Sequence, residues 1–471
     1  MDSGRIIYAV TALIRALRLA HNVFCTDNDL SNHQNHNTLR VSILTLGLDM
    51  NISHFRCSLC NADYAPDQVR YVCPKHGDSG LLDVVYDYEK INSRLSPADI
   101  SASRDFSIWR YWELLPIEDR SSIPTLRVGW TPLYNAKRLG GSLGLASLWL
   151  KDDGLNPTGS LKDRASAVVV AKAKELGVDV ITAASSGNAG AALAGLAASA
   201  HIPAVVFAPH TAPKAKVAQL LIYGAQVLLV NGTYDQAFDL SLAASKEFGW
   251  YSRNTGYNPF TTEGKKTASL EICEQLTSLQ PASDKTWSTP DRIFVAVGDG
   301  NIITGLWKGL RDLHALGWIE KMPKLVGVQA EGAAACYNAW KAGTDVITPV
   351  DAHTISDSIC VGLPRDGTRA VRAVRETHGA YITVSDEEVL AAMRELAREE
   401  GVFAEPAGAT GYAGLVKAVR DKLVDRDEHV VVVVTGNGLK DVSNAMKAAG
   451  EASLIEPTLE AVRRVRAGPM L

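Results

Sequence analysis

The sequence predicts an α/β protein built on largely parallel sheets. From about residue 147, short runs of β-branched residues alternate with stretches of helical spacing that stop at Gly or Pro. The runs are apolar throughout, which is typical of parallel strands that helices cover on both faces. The predicted strands span 147–151, 178–185, 202–209, 225–230, 292–297, 324–330 and 429–434.

Length and charge restrict the class of protein further. The chain has 471 residues, which favours two or three domains, and a formal net charge of -4. Both signs are mixed along the chain, so there is no basic stripe for nucleic acid. Seven cysteines are an odd and sparse set for this length. That argues against a disulfide-stapled secreted protein and favours a reducing compartment, so we expect a cytoplasmic protein.

The first 49 residues have a different character. The stretch 5–24 is apolar, but Arg15, Arg18 and His21 interrupt it, and the longest apolar run is too short to span a bilayer. A weak signal peptide, an amphipathic surface helix and an ordinary terminal helix all remain open, and the ordinary helix is the simplest. We expect translation to start naturally near Met50 and treat 1–49 as an extension of uncertain status.

Residues 50–100 are short, turn-rich and cysteine-bearing, which predicts a separate module resembling a zinc ribbon. Cys57, Cys60, Cys73 and His76 follow the spacing C-x2-C-x12-C-x2-H. Two such pairs can close a tetrahedron around Zn²⁺, and four protein ligands leave no open position, so the metal would be structural. Free cysteines beside a solvated histidine are the alternative.

A lysine stands at a predicted helix start. The stretch "NPTGSLKDR" (156–164) follows a strand, and Ser160 with Asp163 three residues later resembles a capping box. Lys162 would then lie in the first helical turn, where the helix dipole lowers the pKa of an ammonium and favours the free amine that Schiff-base chemistry needs. A solvated lysine is the simpler alternative.

A second loop offers backbone amides for an anion. Ser185, Ser186, Gly187 and Asn188 follow a predicted strand and open a helix. Consecutive small residues with exposed N–H groups form a nest for a carboxylate or a phosphate. A plain N-cap serine is the alternative, but it explains one serine and not the whole run.

Two more loops complete the pattern. The loop 298–301 is glycine-rich and can close on a phosphate, but residue 303 is Ile where a dinucleotide motif has its third glycine. Thr435 ends a buried strand ahead of a Gly-Asn-Gly turn. Loops at the carboxyl ends of strands are where open α/β sheets bind ligands. A lysine, a phosphate loop, an anion nest and a neutral hydroxyl together indicate pyridoxal 5′-phosphate.

From Cys57 to Asp441 the chain resembles the fold-type II pyridoxal-phosphate enzymes and, within them, the threonine synthase family. The motifs that carry the resemblance include "VGWTPLYNAKRLG", "LKDDGLNPTGSLKDR", "ASSGNAGA", "NTGYNPFTTEGKKTASLEI", "VAVGDGNIITGLWKG" and "TGNGLKD". The cysteine module resembles that of archaeal-type threonine synthases. The resemblance implies a tryptophan synthase β-like fold, with the cofactor between two open parallel-rich sheets, and a homodimer.

The resemblance also implies roles for single residues. Lys162 matches the catalytic lysine that binds the cofactor covalently, Asn188 matches the asparagine that contacts the cofactor's 3′-oxygen, and Thr435 matches the hydroxyl opposite the pyridine nitrogen. A neutral hydroxyl does not hold a proton on that nitrogen, which suits elimination with lysine as the base. The cofactor phosphate would lie against Gly298, Asp299, Gly300 and Asn301. Substrate contacts are implied at Ser185, Ser186, Gly187, Asn254, Thr261 and Lys265.

Two positions depart from the family pattern. Leu161 stands where the family usually has Phe, a reduction in volume beside the cofactor. Thr261 stands where bacterial members commonly carry a basic residue that contacts the substrate phosphate. Lys265, Lys266 or Arg253 would supply that charge instead, or the leaving group is not a phosphate.

The resemblance implies a lyase that converts O-phosphohomoserine and water to threonine and phosphate. The alternatives are β-replacement on O-phosphoserine, as in cysteate synthase-like relatives, dehydration of threonine or serine, and a catalytically silent binding protein on the same fold. We expect a phosphorylated amino acid as substrate, with no nucleic acid or membrane partner. The expected domains are an extension at 1–49, the cysteine module at 50–100, a large cofactor domain at 101–165 and 256–455, a small α/β domain at 166–255, and a tail at 456–471.

Overall fold

The computed structural model describes residues 51–185, 187–212, 214–279 and 286–466. The expectations for 1–49 and Met50, for Ser186 and for the end of the tail lie outside these residues. The strands are β1 Ile52–Cys57, β2 Asp63–Tyr64, β3 Leu82–Tyr86, β4 Leu133–Asn135, β5 Ser147–Asp152, β6 Ile181–Ala184, β7 Ala204–Pro209, β8 Gln226–Val230, β9 Tyr251–Ser252, β10 Arg292–Ala296, β11 Lys324–Ala330, β12 Ala380–Val384 and β13 His429–Val434.

Helices follow most of these strands. In chain order they are α1 Tyr88–Asn92, α2 Pro97–Ser101, α3 Lys137–Leu143, α4 Lys162–Glu175, α5 Asn188–Ser199, α6 Lys214–Ile222, α7 Tyr234–Phe248, α8 Phe260–Ser278, α9 Asn301–Ala315, α10 Ala335–Lys341, α11 Gly367–Glu376, α12 Asp386–Glu400, α13 Pro406–Arg420, α14 Val442–Ala449 and α15 Leu459–Arg466. Within the described ranges, no helix is both long and apolar enough to cross a membrane.

The larger sheet has six strands in the order β12-β11-β10-β13-β5-β4. All neighbours run parallel except β4, which closes one edge antiparallel to β5. The central strands β10 and β13 are buried almost throughout, as continuous apolar runs require. The prediction of an α/β fold with parallel sheets is therefore confirmed. The strands β4 and β12 were not predicted.

The second sheet is parallel and has four strands in the order β8-β7-β6-β9. Helices α4, α8 and α9 pack side by side, and α4 also packs against α5, the helix that follows β6. At the contact of α4 with α8 the backbones nearly touch, because a Cβ at Gly264 would lie 2.1 Å from the Arg164 carbonyl oxygen. Only glycine permits this approach.

A small antiparallel sheet in the order β2-β1-β3 forms the cysteine-bearing module. Its Tyr86 hydroxyl donates to the Glu263 carboxylate of α8 at 2.7 Å. The Arg369 side chain of α11 donates to Asp83 of β3 at 2.8 Å. The module therefore packs directly against two helices that lead to the larger sheet.

Candidate active site

Helix α4 begins at Lys162, but the prediction of a capping box between Ser160 and Asp163 is wrong. The Ser160 hydroxyl is buried and has no hydrogen-bond partner among the described residues. The Asp163 carboxylate instead accepts hydrogen bonds from the Thr158 amide at 2.7 Å and from the Thr158 hydroxyl at 2.5 Å. Ser160 lies in a backbone bridge with Gly436, and Leu161 occupies the cap position without a side-chain hydrogen bond. Long-range pairing of the turn therefore replaces the local cap.

The pKa of Lys162 is lowered, as the sequence predicted, but for a different main reason. The largest cause is the loss of solvent around the ammonium group, to which the positive charge of Arg253 adds. The Glu405 carboxylate acts in the opposite direction. The position therefore favours a neutral, nucleophilic amine more than an exposed lysine would.

The lysine faces a cavity of about 480 Å³. Its wall brings together three of the four predicted loops. The predicted residues that line it are Lys162, Lys265, Gly298, Asp299, Gly300, Asn301 and Thr435. Residues that the sequence did not single out complete the wall: Thr255, Ala296, Val297, Ile302, Ser358, Ile359, Glu405 and Ala407.

The loop 298–301 has the shape of an anion-binding turn at the start of α9. Gly300 has φ +89°, and a Cβ there would lie 2.7 Å from the Asp366 carbonyl oxygen. A Cβ at Gly298 would lie 2.8 Å from Ile359 Cα. Burial raises the pKa of Asp299, so its carboxyl group holds a proton more readily than an exposed one, which lessens its repulsion of an anion.

The fourth loop, at 185–188, contacts the cavity wall through the hydrogen bond of Asn188 to the Glu405 carboxylate. The Asn188 side-chain amide donates to Glu405 Oε1 at 2.6 Å and to the Ser358 hydroxyl at 3.4 Å. Burial raises the pKa of Glu405. Sequence reasoning missed Glu405, although a carboxylate before Pro406 at a helix start was a usable signal. Ser358 had none.

A second cavity, of about 340 Å³, lies on the other side of Asn188. Gly187, Asn188, Lys216 and Lys440 line it together with Gln219 and Leu439. The Ser185 hydroxyl accepts from the Gly187 amide at 3.2 Å. Gly187 and Asn188 of the predicted nest thus border a space with two lysines.

Two residues proposed for substrate binding have their side chains occupied elsewhere. Asn254 accepts from the Ala184 amide and donates to the Ser241 hydroxyl, both at 2.8 Å. The Thr261 hydroxyl donates to the Asn258 carbonyl oxygen at 2.7 Å. Neither is among the residues that line the two cavities. Both side chains stabilise the fold around β6, α7 and the start of α8.

The three candidate cations differ in their partners. Lys266 is neutralised by Glu263 at 2.6 Å and Asp312 at 2.7 Å. Lys265 donates at 2.5 Å to the Asn301 amide oxygen, a neutral group, and has no ion pair within the described part of the chain. Burial and the neighbouring cationic charges hold its pKa well below the usual range. Lys265 therefore lies at the cavity without an acidic partner in the described ranges, and an anion bound there would favour its charged form.

Arg253 is buried beside the same wall. Its Nε donates to the Ser166 hydroxyl at 3.1 Å, and its Nη1 donates to the Thr255 hydroxyl at 2.8 Å. The buried Nη2 has no partner in the described ranges. Burial lowers its pKa to about 10. A guanidinium nitrogen without an acceptor next to two lysines is costly unless an anion binds there.

The four residues of the cysteine motif come together as predicted. Their ligand atoms all lie within 4.8 Å of one another. The His76 Nδ1 atom lies 3.8 Å from Cys57 Sγ and 3.5 Å from Cys73 Sγ. Metal bonds of about 2.3 Å to sulfur give a tetrahedral edge of about 3.8 Å, so this spacing fits Zn²⁺.

The residues at the main cavity also fit pyridoxal phosphate. A lysine with a lowered pKa, a glycine turn at the N-terminus of α9 and a threonine at the end of β13 line one pocket. The turn and the first α9 amides would hold the phosphate, and Lys162 would form the covalent link. This combination defines a cofactor-dependent enzyme of the α/β class.

Comparisons with known proteins agree with this class. The family model described as "Pyridoxal-phosphate dependent enzyme" matches residues 124–436. Threonine synthase from Methanocaldococcus jannaschii is 39% identical over 412 residues, which cover 87% of this chain and 98% of that protein. Threonine synthase from Methanosarcina acetivorans is 40% identical with the same coverage of both chains. The chain belongs to the pyridoxal-phosphate dependent enzymes and, within them, to the threonine synthase family.

Solved structures share the fold. The threonine deaminase of T.th. is 25% identical with a TM-score of 0.55, covering 69% of this chain and 94% of that one. Diaminopropionate ammonia lyase from Escherichia coli has a TM-score of 0.59 at 19% identity, covering 75% of this chain and 92% of that one. The second likeness concerns the fold alone. These structures agree with the predicted fold-type II architecture.

Proposed function

We propose that the chain converts O-phosphohomoserine and water to threonine and phosphate. Support comes from the membership of the threonine synthase family, with relatives covered almost over their whole length. The observation that carries the choice of a phosphorylated substrate is that two basic side chains, one at the cavity and one beside it, lack an anionic partner. Lys265 has no ion pair, and Arg253 has a nitrogen without an acceptor, in the part of the chain described.

Lys162 would act as the proton carrier. Bound pyridoxal phosphate supplies an electron sink that stabilises negative charge at the substrate's α carbon. The Lys162 amine removes the α proton and then helps to move a β proton, because one mobile amine can reach both carbons in turn. Phosphate leaves from the γ carbon and water adds at the β carbon. The lowered pKa of Lys162 keeps its amine available as a base.

The other groups would position the reactants. The Asn188 amide, oriented by Glu405, would donate to the cofactor's 3′-oxygen. The nest at Ser185 and Gly187 would receive the substrate carboxylate, with Lys440 favouring negative charge nearby, whereas Lys216 is paired with Asp357. Thr435 would place a neutral hydroxyl at the pyridine nitrogen.

Phosphate release from different substrates tests this function. We expect O-phosphohomoserine to give the fastest release, and Lys265→Gln to lower its kcat/KM about tenfold to a hundredfold, because a charged hydrogen bond to the leaving group is lost. Lys174→Gln, on the exposed face of α4, removes the same charge far from the cavity and should leave kcat/KM unchanged. Faster turnover of O-phosphoserine, threonine or serine would contradict the proposal.

The cysteine module would hold a structural zinc ion at Cys57, Cys60, Cys73 and His76. We expect one zinc per chain, and we expect its removal by a chelator to lower the melting temperature by about 5 °C or more. Cys60→Ser should lose the metal, whereas Cys360→Ser, outside the cluster, should retain it. Metal analysis measures the zinc content, and thermal unfolding measures the melting temperature. Full zinc occupancy in Cys60→Ser would show that the ligand set is wrong.

We also propose a cytoplasmic homodimer with the domain boundaries given above. Three apolar side chains on and beside α14 support a protein partner on that face, since each is at least half exposed: Leu439, Val442 and Met446. Of these three, Leu439 also lines the second cavity, whereas Val442 and Met446 line neither cavity.

A further inference from the structure

A continuous chain of polar contacts runs from the cysteine module to the cavity. Asp83 of β3 accepts from Arg369 Nη1 at 2.8 Å. Arg369 Nε donates to Asp366 Oδ1 at 2.6 Å. Asp366 Oδ2 accepts from the Asn301 amide nitrogen at 2.7 Å, and the Asn301 oxygen accepts from Lys265 Nζ at 2.5 Å. The side chains after Asp83 are almost completely buried.

The contacts fix which way the Asn301 amide points. Its nitrogen donates both to Asp366 and to the Thr262 hydroxyl, at 2.7 and 2.8 Å. An amide nitrogen can only donate, so two acceptors on that side turn the oxygen towards Lys265. The oxygen then holds the lysine by a hydrogen bond to a neutral group. Asp366 thus determines where Lys265 places its ammonium group.

Arg369 links that geometry to the module. Its guanidinium lies between two carboxylates, Asp83 on one side and Asp366 on the other. When Asp83 loses its charge, Asp366 becomes the sole close anion for Arg369 in the part of the chain that the structure describes. Arg369 already grips Asp366 by a forked contact, and its Nη2 shares Asp366 Oδ2 with the Asn301 amide nitrogen, at 2.9 and 2.7 Å. A guanidinium that has lost Asp83 therefore competes more strongly with Asn301 for that oxygen.

We propose that Asp83, Arg369 and Asp366 are positioning residues that hold Lys265 where it binds the phosphate of the substrate. The inference rests on the proposed function, since it assigns the cysteine module a part in recognising the leaving group. None of the three residues lines the cavity itself. They act through Asn301.

The same strand supplies a matched control. Tyr86, three residues after Asp83, donates at 2.7 Å to Glu263, a contact that is also buried and also joins the module to the core. Glu263 leads to Lys266 and not to Lys265. Tyr86→Phe therefore weakens the attachment of the module without touching the chain of contacts to the cavity.

A double-mutant cycle on the cofactor-loaded full chain tests the proposal. The readouts are the dissociation constant of inorganic phosphate, from calorimetry, and the KM and kcat for O-phosphohomoserine. We expect Asp83→Asn to weaken phosphate binding about threefold to tenfold, to raise KM more than it lowers kcat, and to leave the cofactor's absorbance unchanged. Tyr86→Phe should change phosphate binding less than about twofold at a similar loss of melting temperature.

The cycle separates two failures. In a Lys265→Gln background, Asp83→Asn should have no further effect, because it acts through that lysine. An equal effect in both backgrounds would overturn the positioning role while the proposed function stands. No effect of Lys265→Gln alone would overturn the positioning role together with the role of Lys265, whereas faster turnover of a substrate other than O-phosphohomoserine would overturn the proposed function. Should Asp83→Asn fail to fold, Arg369→Lys, which keeps the charge but loses the forked contact, gives the same comparison.

Discussion

Lys162→Ala is expected to lower kcat about 10³-fold or more and to abolish covalent attachment of the cofactor. The variant lacks both the amine that links the cofactor and the base that moves protons. Reduction with borohydride followed by intact mass measurement should show a cofactor adduct on the native chain and none on the variant. Absorbance at about 400 to 430 nm, typical of the covalently linked cofactor, should also disappear.

A matched control keeps this result specific. Lys265→Gln removes a lysine from the same cavity and should retain the adduct. Lys162 has no ion pair within the described ranges, so its removal should leave the melting temperature within a few degrees of the native value. A reducible, covalently held cofactor in Lys162→Ala would refute the assignment.

Glu271→Gln should produce the largest loss of stability, about 3 to 5 kcal/mol. The Glu271 carboxylate of α8 accepts from Arg164 at 2.6 and 2.8 Å and from Lys151 at 2.7 Å, and all three side chains are fully buried. An amide leaves two buried cations short of an anion. Chemical denaturation measures the change. Asp63→Asn, in an exposed pair with Arg56, should have a far smaller effect, because solvent screens that pair.

Acid should reveal the same cluster. Arg164 and Lys151 outweigh the effect of burial and lower the pKa of Glu271 from 4.5 to about 2. A lowered pKa in the folded state contributes stability above about pH 4.5 that is lost as the pH falls towards about 2, worth about 3 kcal/mol here. Glu271→Gln should therefore lose less stability than the native chain over that interval. The free energy of unfolding of both proteins, measured across this pH interval, tests the expectation. An equal loss in the two proteins would contradict it.

Local patterns predicted the features that depend on neighbouring residues. The apolar runs indicated the central parallel strands, and the spacing of Cys57, Cys60, Cys73 and His76 indicated the cluster. The strand β12 was missed because only part of it is buried, so its apolar run is weaker. A helix was expected to start near Ser160, after the turn at 156–159, and it starts two residues later, at Lys162.

Features that depend on distant residues could not be predicted in this way. Ser160 has the sequence of a cap but pairs with Gly436, far along the chain. Glu405 reaches Asn188 across 217 positions. Lys265 and Lys266 have the same chemistry in a helix that is buried on every side, so helical periodicity gives no reason to prefer either. Their separate partners, Asn301 and Asp312, decide the matter.

The position of the module has a practical consequence for dividing the chain. The family match begins at residue 124, which suggests a minimal enzyme that starts there. Such a fragment would keep Lys162 and every residue of the main cavity. It would also leave Arg369 without Asp83 and Glu263 without the Tyr86 hydroxyl, both deep inside the protein. Catalytic and accessory segments therefore cannot be separated at the border that sequence similarity marks.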